Sequence, residues 1–158
     1  MLLYRIVPEA YLKNFSDKGA SYMDGARWNE PGLPVLYFAL SASVAMLEMA
    51  NYFPLPGLIP KNRILGIYEL PETLNIYQLP KAELPHNWNY YPHPKSTRDI
   101  GSEWLRGGRQ IALIVPSAAT PDGLESIIVI NPLHSDIQFL KLIDTKDKIF
   151  NKRAFIGS

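Results

Sequence analysis

The sequence predicts an α+β fold, and three observations carry that expectation. Strand-like segments rich in Val, Ile, Leu and Tyr are interleaved irregularly with two main helical segments, rather than in a regular strand–helix alternation. No Gly-x-Gly-x-x-Gly follows a strand and no Walker sequence occurs, which argues against a doubly wound nucleotide-binding sheet. The 158 residues, 47% apolar and 20% charged, suit one globular domain with a real core, with no internal repeat or low-complexity run.

In chain order, Leu2–Val7 reads as a short strand closed by Pro8. Residues 14–32 read as loop, with Gly19, Gly25 and Gly32 among small polar residues. Pro34–Ala39 is apolar and aromatic and predicts a buried strand. Ser41 offers an N-cap for a helix over 42–53. Pro54–Lys61 is a Pro-rich connector. Arg63–Leu70 alternates as a strand does, and Leu74–Gln78 predicts a second short one.

Residues 80–95 hold four prolines with Trp88, Tyr90 and Tyr91, and read as an ordered but irregular loop with the character of a lid. Ser96-Thr97-Arg98-Asp99 resembles a capping box with Asp in place of Glu. It predicts a helix over 97–106 that buries Ile100 and Trp104 and stops at Gly107-Gly108. Strands are expected at 109–115, 126–131 and 137–142. The tail 144–158, with Phe150 and Phe155, carries no clear pattern.

The helix after Ser41 is unusual. Ala42, Ala45, Met46, Met49, Ala50 and Phe53 form one apolar stripe at helical spacing. Glu48 lies about 130° from the centre of that stripe, at ~100° per residue. The far face also holds Val44, Leu47 and Tyr52, so Glu48 and Asn51 are its only strong polar groups beyond the cap. Such a helix is covered on both sides or lines a cleft.

Composition excludes several classes of function. A formal charge of +1 gives no general pull toward nucleic acid or anionic lipid. With no cysteine there is no disulfide scaffold, thiolate metal site or cysteine nucleophile. His86, His93 and His134 show no metal-ligand spacing, so no metal is expected. The N-terminus lacks the pattern of a signal peptide, and no apolar run approaches the ~20 residues of a membrane helix, so a cytoplasmic enzyme or binding module is the expectation.

Three polar residues in apolar settings stand out: Arg27 in a Gly-rich loop, Glu48 on its helix, and Ser117 after Ile111–Pro116. Each would cost free energy if buried alone, and together they could satisfy one another in a polar site. Each also has a plainer reading. Arg27 would be a solvated charge, Glu48 half of a structural ion pair, and Ser117 a turn cap. Tyr37 would be core, Trp28 and Trp104 core anchors, and His134 part of a turn.

The ordered set Gly25-Ala26-Arg27-Trp28-Asn29-x-x-Gly32, Val35-Leu36-Tyr37, Ala45-x-Leu47-Glu48, Trp104, Val115-Pro116-Ser117 and Asn131-Pro132-x-His134 resembles the RES domain, from about Tyr4 to His134. One departure is Ala26, where the family more often has a second glycine before the Arg. The resemblance implies an ADP-ribosyltransferase-like split, mostly antiparallel β core with flanking helices and an NAD cleft. It implies a toxin of a type II toxin–antitoxin pair, with a helix-turn-helix antitoxin as partner. NAD+ would be the substrate, with no separate cofactor. Glu48, Arg27, Tyr37 and Ser117 would form the catalytic set. Arg5, matching the family's early Arg, would contact phosphate or make an internal ion pair.

Cleaving the nicotinamide–ribose bond passes through an oxocarbenium-like state on the ribose. Nicotinamide leaves neutral, so no general acid is needed and one ionised carboxylate suffices. Glu48 fits that role, and a nearby cation such as Arg27 favours a carboxylate's charged form. The planar fork of Arg27 also suits a pyrophosphate. Tyr37 offers a ring to stack on and a hydroxyl. Ser117 could bond the nicotinamide amide or the ribose, and with no base beside it is not a nucleophile. Water, phosphate or a protein side chain could be the acceptor. An NAD glycohydrolase or phosphorylase, a protein ADP-ribosyltransferase, and a non-catalytic nucleotide- or protein-binding module are the competing readings. The sequence leaves a homodimer open.

Overall fold

The computed structural model describes residues 1–16, 18–53, 58 and 60–149. Its strands are β1 (Leu2–Pro8), β2 (Leu36–Ala39), β3 (Arg63–Glu69), β4 (Ile76–Gln78), β5 (Ala112–Pro116), β6 (Ser126–Ile130) and β7 (Lys141–Lys146). Its helices are α1 (Ala20–Asp24), α2 (Ala42–Ala50) and α3 (Lys95–Gly107). The strands form one sheet in the order β4-β5-β6-β2-β1-β3-β7. Only the β4–β5 pair is parallel, so the expected α+β, mostly antiparallel core is present.

The sheet is split at its centre. β1 pairs with β3 along its whole length but meets β2 only at Tyr4 and Ala39. Side chains alternate across a strand, so the sheet carries a core on each face. On one face Ala39, Leu65, Val115 and Val129 pack with Trp28 and with Val44 and Ala45 of α2, and Tyr4 and Ile6 border them. On the other, Leu3, Phe38, Tyr68 and Ile128 pack together. Tyr68 closes that second face by donating its buried hydroxyl to Leu12 O across 2.8 Å.

Ser41 caps α2 as expected, its side chain accepting from Val44 N at 3.2 Å. The helix ends at Ala50 rather than at 53. Val44 is fully buried while Leu47 and Tyr52 are 45% and 71% exposed, so only part of the apolar far face is covered. The remainder borders the cleft or solvent.

Three local expectations are corrected. The stretch read as loop contains α1, a short helix that follows Gly19 as N-cap without a side-chain cap bond. The capping box does not form, because α3 starts earlier, at Lys95. There Thr97 donates to Pro94 O, Ser96 donates instead to the Asn87 side chain, and Lys95 pairs with Asp99.

The predicted strand at 137–142 begins only at Lys141. Ser135–Phe139 is a 3-10 turn, which the His134 side chain caps by accepting from Asp136 N at 3.1 Å. A local side-chain bond to the backbone wins there over the strand pattern. Gly108 ends α3 in the left-handed conformation, as Gly107-Gly108 predicted. Ile100 and Trp104 are half-buried on α3, whose deepest positions are Thr97, Gly101, Ser102 and Leu105. Most of the Pro54–Lys61 connector, and the tail from Phe150 through Phe155 to its end, lie outside the described residues. No helix among the described residues is long and apolar enough to cross a membrane.

Candidate active site

A cleft of about 940 Å³ opens on the face of the sheet that carries α2. Its volume lies within the range of small-molecule sites, ~300–1,000 Å³. Arg27, Tyr37, Glu48, Tyr52, Arg63 and His93 are among its lining residues, and Glu48 is the one carboxylate among the described residues that border it.

Glu48 is reached through Ser117. The segment Ala112–Pro116 forms the largely buried β5, and Ser117 follows immediately, fully buried. Its hydroxyl donates to Glu48 Oε1 at 2.6 Å and accepts from Ala119 N at 3.1 Å. Its own N–H donates to Glu125 O at 2.9 Å. Ser117 therefore does cap a turn, through Ala119 N, and the same hydroxyl also reaches Glu48. With its one proton given to Glu48, and lying beneath the cleft wall, Ser117 holds the carboxylate in place rather than facing the cleft.

Arg27 sits on a tight loop. Gly25 has φ 73°, and a Cβ there would meet Asn29 O at 2.9 Å, so the left-handed turn needs glycine. Ala26 N donates back to Asn29 O at 3.0 Å. The loop is anchored by fully buried Trp28 and Asn29. Asn29 Nδ2 donates to Ser21 O and Glu30 O at 2.7 and 3.0 Å. From this base Arg27 does not form an ion pair with Glu48. Its Nη1 donates to Trp88 O and, at 2.9 Å, to Tyr90 O. Arg27 thus fastens the 85–93 segment as a wall of the cleft. Burial lowers its pKa, and the charge of Glu48 opposes that shift, so the two groups sense one another across the cleft.

Tyr37 joins the same network. Its hydroxyl donates to Asn29 Oδ1 at 2.8 Å and accepts from Trp28 N at 3.3 Å. Burial pushes its pKa far above the usual phenol range, so it stays neutral. Tyr52 at the rim is shifted upward by burial and then by Glu48. His93 is shifted downward by burial and then by Arg27 and Arg98, and its Nδ1 is buried without a hydrogen-bond partner.

Arg5 is placed differently. It shares a strand face with Leu3, and its guanidinium lies 5.6 Å over the Phe38 ring, in the core opposite Glu48. It borders the cleft at the sheet's split. His134 lies apart, beside a second cavity of about 390 Å³. Among the described residues no three His, Cys, Asp or Glu side chains come together.

The structure therefore brings Glu48 and Ser117 into contact, sets Arg27 and Tyr37 around the same cleft, and places the Arg5 guanidinium over Phe38 at the cleft's border. Sequence reasoning overlooked Asn29 as the hub of the Arg27 loop, and Tyr52, His93 and Arg63 as cleft residues. Asn29 alone left a signal, because a buried Asn needs several partners and sits inside the quoted motif.

Chemically, one fixed carboxylate among cations and aromatic rings suits a ligand that is anionic in one part and develops positive charge in another. A family model described as RES domain matches residues 2–147. A protein of Yersinia enterocolitica named Toxin Res is 35% identical over 138 residues, covering 87% of this chain and 88% of the relative. A protein of a Sphingobium species named Prs ADP-ribosylating toxin is 32% identical over 146 residues, covering 89% and 86%. Among solved structures, the M. tuberculosis MbcT–MbcA toxin–antitoxin complex contains a chain similar in fold, with TM-score 0.66 and 17% identity. The match covers 92% of this chain and 82% of that one. The fold is the ADP-ribosyltransferase-like one that the resemblance implied.

Proposed function

This chain belongs to the RES domain family, and from that premise we propose that it is a toxin whose cleft takes NAD+ and breaks the bond between nicotinamide and ribose. The observation that carries the reading is Glu48, the one carboxylate among the described residues of the cleft, held by Ser117 at 2.6 Å. Ordinary glycosidases use two carboxyl groups, one to protonate the leaving group. Nicotinamide is cationic while attached and leaves neutral, taking the electron pair of the broken bond. It needs no acid.

Glu48 then stabilises the positive charge that develops on the ribose. The Ser117 bond fixes one carboxylate oxygen beforehand, so little reorganisation is required when charge appears. An acceptor oxygen bonds to the anomeric carbon and, if it is water, releases a proton. Neutral Tyr37 and the wall fastened by Arg27 shape the pocket around the leaving ring. Ser117 acts through Glu48, which revises its expected contact with substrate. A toxin of this kind is held in check by an antitoxin, a reading supported by the solved toxin–antitoxin complex of similar fold.

A second reading is that a protein side chain replaces water or phosphate as acceptor. The Sphingobium relative's name favours it. Purified chain incubated with NAD+ alone separates the two. Free nicotinamide appearing without any protein target supports degradation of NAD+. Release only when a target protein is added, with label transferred to it, supports ADP-ribosylation. No release under either condition, with or without phosphate, and unchanged toxicity of Glu48→Ala, would overturn both.

A further inference from the structure

Arg63 opens β3 and pairs in register with Pro8. Alternation puts it on the strand face of Leu65, which packs in the core under α2 together with Tyr4 and Ile6. That is the Glu48 face. Arg5, by the same alternation, lies with Leu3 on the opposite face. Of the two sheet arginines that border the cleft, Arg63 is therefore the one whose side chain is on the Glu48 side.

Its surroundings are unusual for a cation. The guanidinium sits 5.3 Å over the Phe53 ring, which fixes it without neutralising it. Among the described residues it makes no ion pair, and its Nε is buried with no hydrogen-bond partner. Burial lowers its pKa, with no neighbouring charge opposing the shift. A partly buried cation with an unsatisfied donor is costly unless something supplies an anion.

Phe53 lies five residues beyond Glu48, on the turn that continues α2, and its N–H still donates to Met49 O. At ~1.5 Å per residue the offset along the axis is about 7.5 Å. In a nicotinamide dinucleotide the anomeric carbon and the nearer phosphorus are separated by the ribose ring, one exocyclic carbon and the ester oxygen, a spacing of the same order.

We infer that Arg63, seated on Phe53, is the diphosphate-binding cation of the cleft, a role the sequence offered to Arg27 and, as one of two alternatives, to Arg5. The inference rests on the NAD+ reading for the identity of the anion, and its test separates the two. ADP, which carries the diphosphate without nicotinamide, is titrated against the full chain by calorimetry, beside a steady-state assay of nicotinamide release.

Arg63→Gln should weaken ADP binding at least about tenfold and raise KM for NAD+ by a similar factor while kcat changes little, since a charge-assisted phosphate contact is lost. Arg63→Lys should recover part of the loss, because it restores charge without the fork. Lys61→Gln removes an exposed charge two residues away and should leave ADP affinity within about twofold. Equal ADP affinity in wild type, Arg63→Gln and Arg63→Lys, all with unchanged thermal midpoints, overturns the inference, as does failure of the wild type to bind ADP. Arg63-dependent ADP binding without nicotinamide release from NAD+ leaves the inference standing and overturns the NAD+-cleaving reading.

Discussion

Ser117 donates its hydroxyl to Glu48 Oε1 across 2.6 Å, tying the end of β5 to the cleft side of α2 between residues 69 positions apart. A hydrogen bond to a charged group contributes about 1.5–3 kcal/mol. Ser117→Ala should therefore lower kcat for nicotinamide release by about 10- to 100-fold, with KM nearly unchanged, if the bond acts mainly in the transition state. Glu48→Gln keeps a partner for Ser117 but removes the charge. It should fold as wild type does and lose release almost completely. A Glu48→Gln variant with wild-type kcat would remove the carboxylate from the mechanism.

Arg27 is bound to two carbonyls of the wall segment, those of Trp88 and Tyr90. Lysine has the charge but lacks the planar fork. Arg27→Lys should speed amide exchange across residues 86–93 and reduce activity by about tenfold or more. Unchanged exchange would mean that the wall stands without the clamp.

Tyr37 satisfies both Asn29 Oδ1 and Trp28 N. Tyr37→Phe leaves two buried polar groups short of a partner, at a cost of about 1–3 kcal/mol. The thermal midpoint should fall by several degrees. Because the phenol stays neutral, the loss should be the same from about pH 6 to about pH 9.

His93 is held below its ordinary value of 6.5 by burial first and then by Arg27 and Arg98. Between that depressed value and 6.5 the folded protein binds fewer protons than the unfolded chain. Its contribution to stability is full above pH 6.5 and is lost as pH falls through the window. His93→Gln removes the window. Its thermal midpoint should drop less than that of the wild type between about pH 7 and about pH 5.5, and parallel curves would contradict this.

Gly101 lets α3 lie against the Trp28 backbone. A Cβ built there would stand 1.9 Å from Trp28 O. Gly101→Ala should destabilise by about 3 kcal/mol, near the upper end for overpacking, and displace the Arg27 loop with it. Chemical denaturation measures the first effect and nicotinamide release the second.

Local signals were legible where one short segment fixes its own geometry. Ser41 caps α2 and Gly108 stops α3 because the bonds involved span only a few residues. The capping box at Ser96–Asp99 and the strand at 137–142 were misread for the converse reason. Ser96 finds Asn87 in an adjoining loop, and His134 captures Asp136 N before the strand can start. The exposed Leu47 and Tyr52 show the same limit, since a helix's apolar faces do not reveal which of them will be covered.

The sequence by itself determined which side chains could do the chemistry: a carboxylate on a nearly apolar helix, a glycine-framed arginine, and a serine closing a buried strand. It also determined the α+β character, through segment lengths and periodicity. Tertiary structure alone decided how those groups are used. Strand pairing and the split between β1 and β2 set which face each residue occupies, sending Arg5 to Phe38 and leaving Arg63 beside the cleft. The same packing gave Arg27 to the wall carbonyls and Ser117 to Glu48. These contacts join residues about 60 or more positions apart, and no local pattern encodes which distant partner will satisfy a buried polar group.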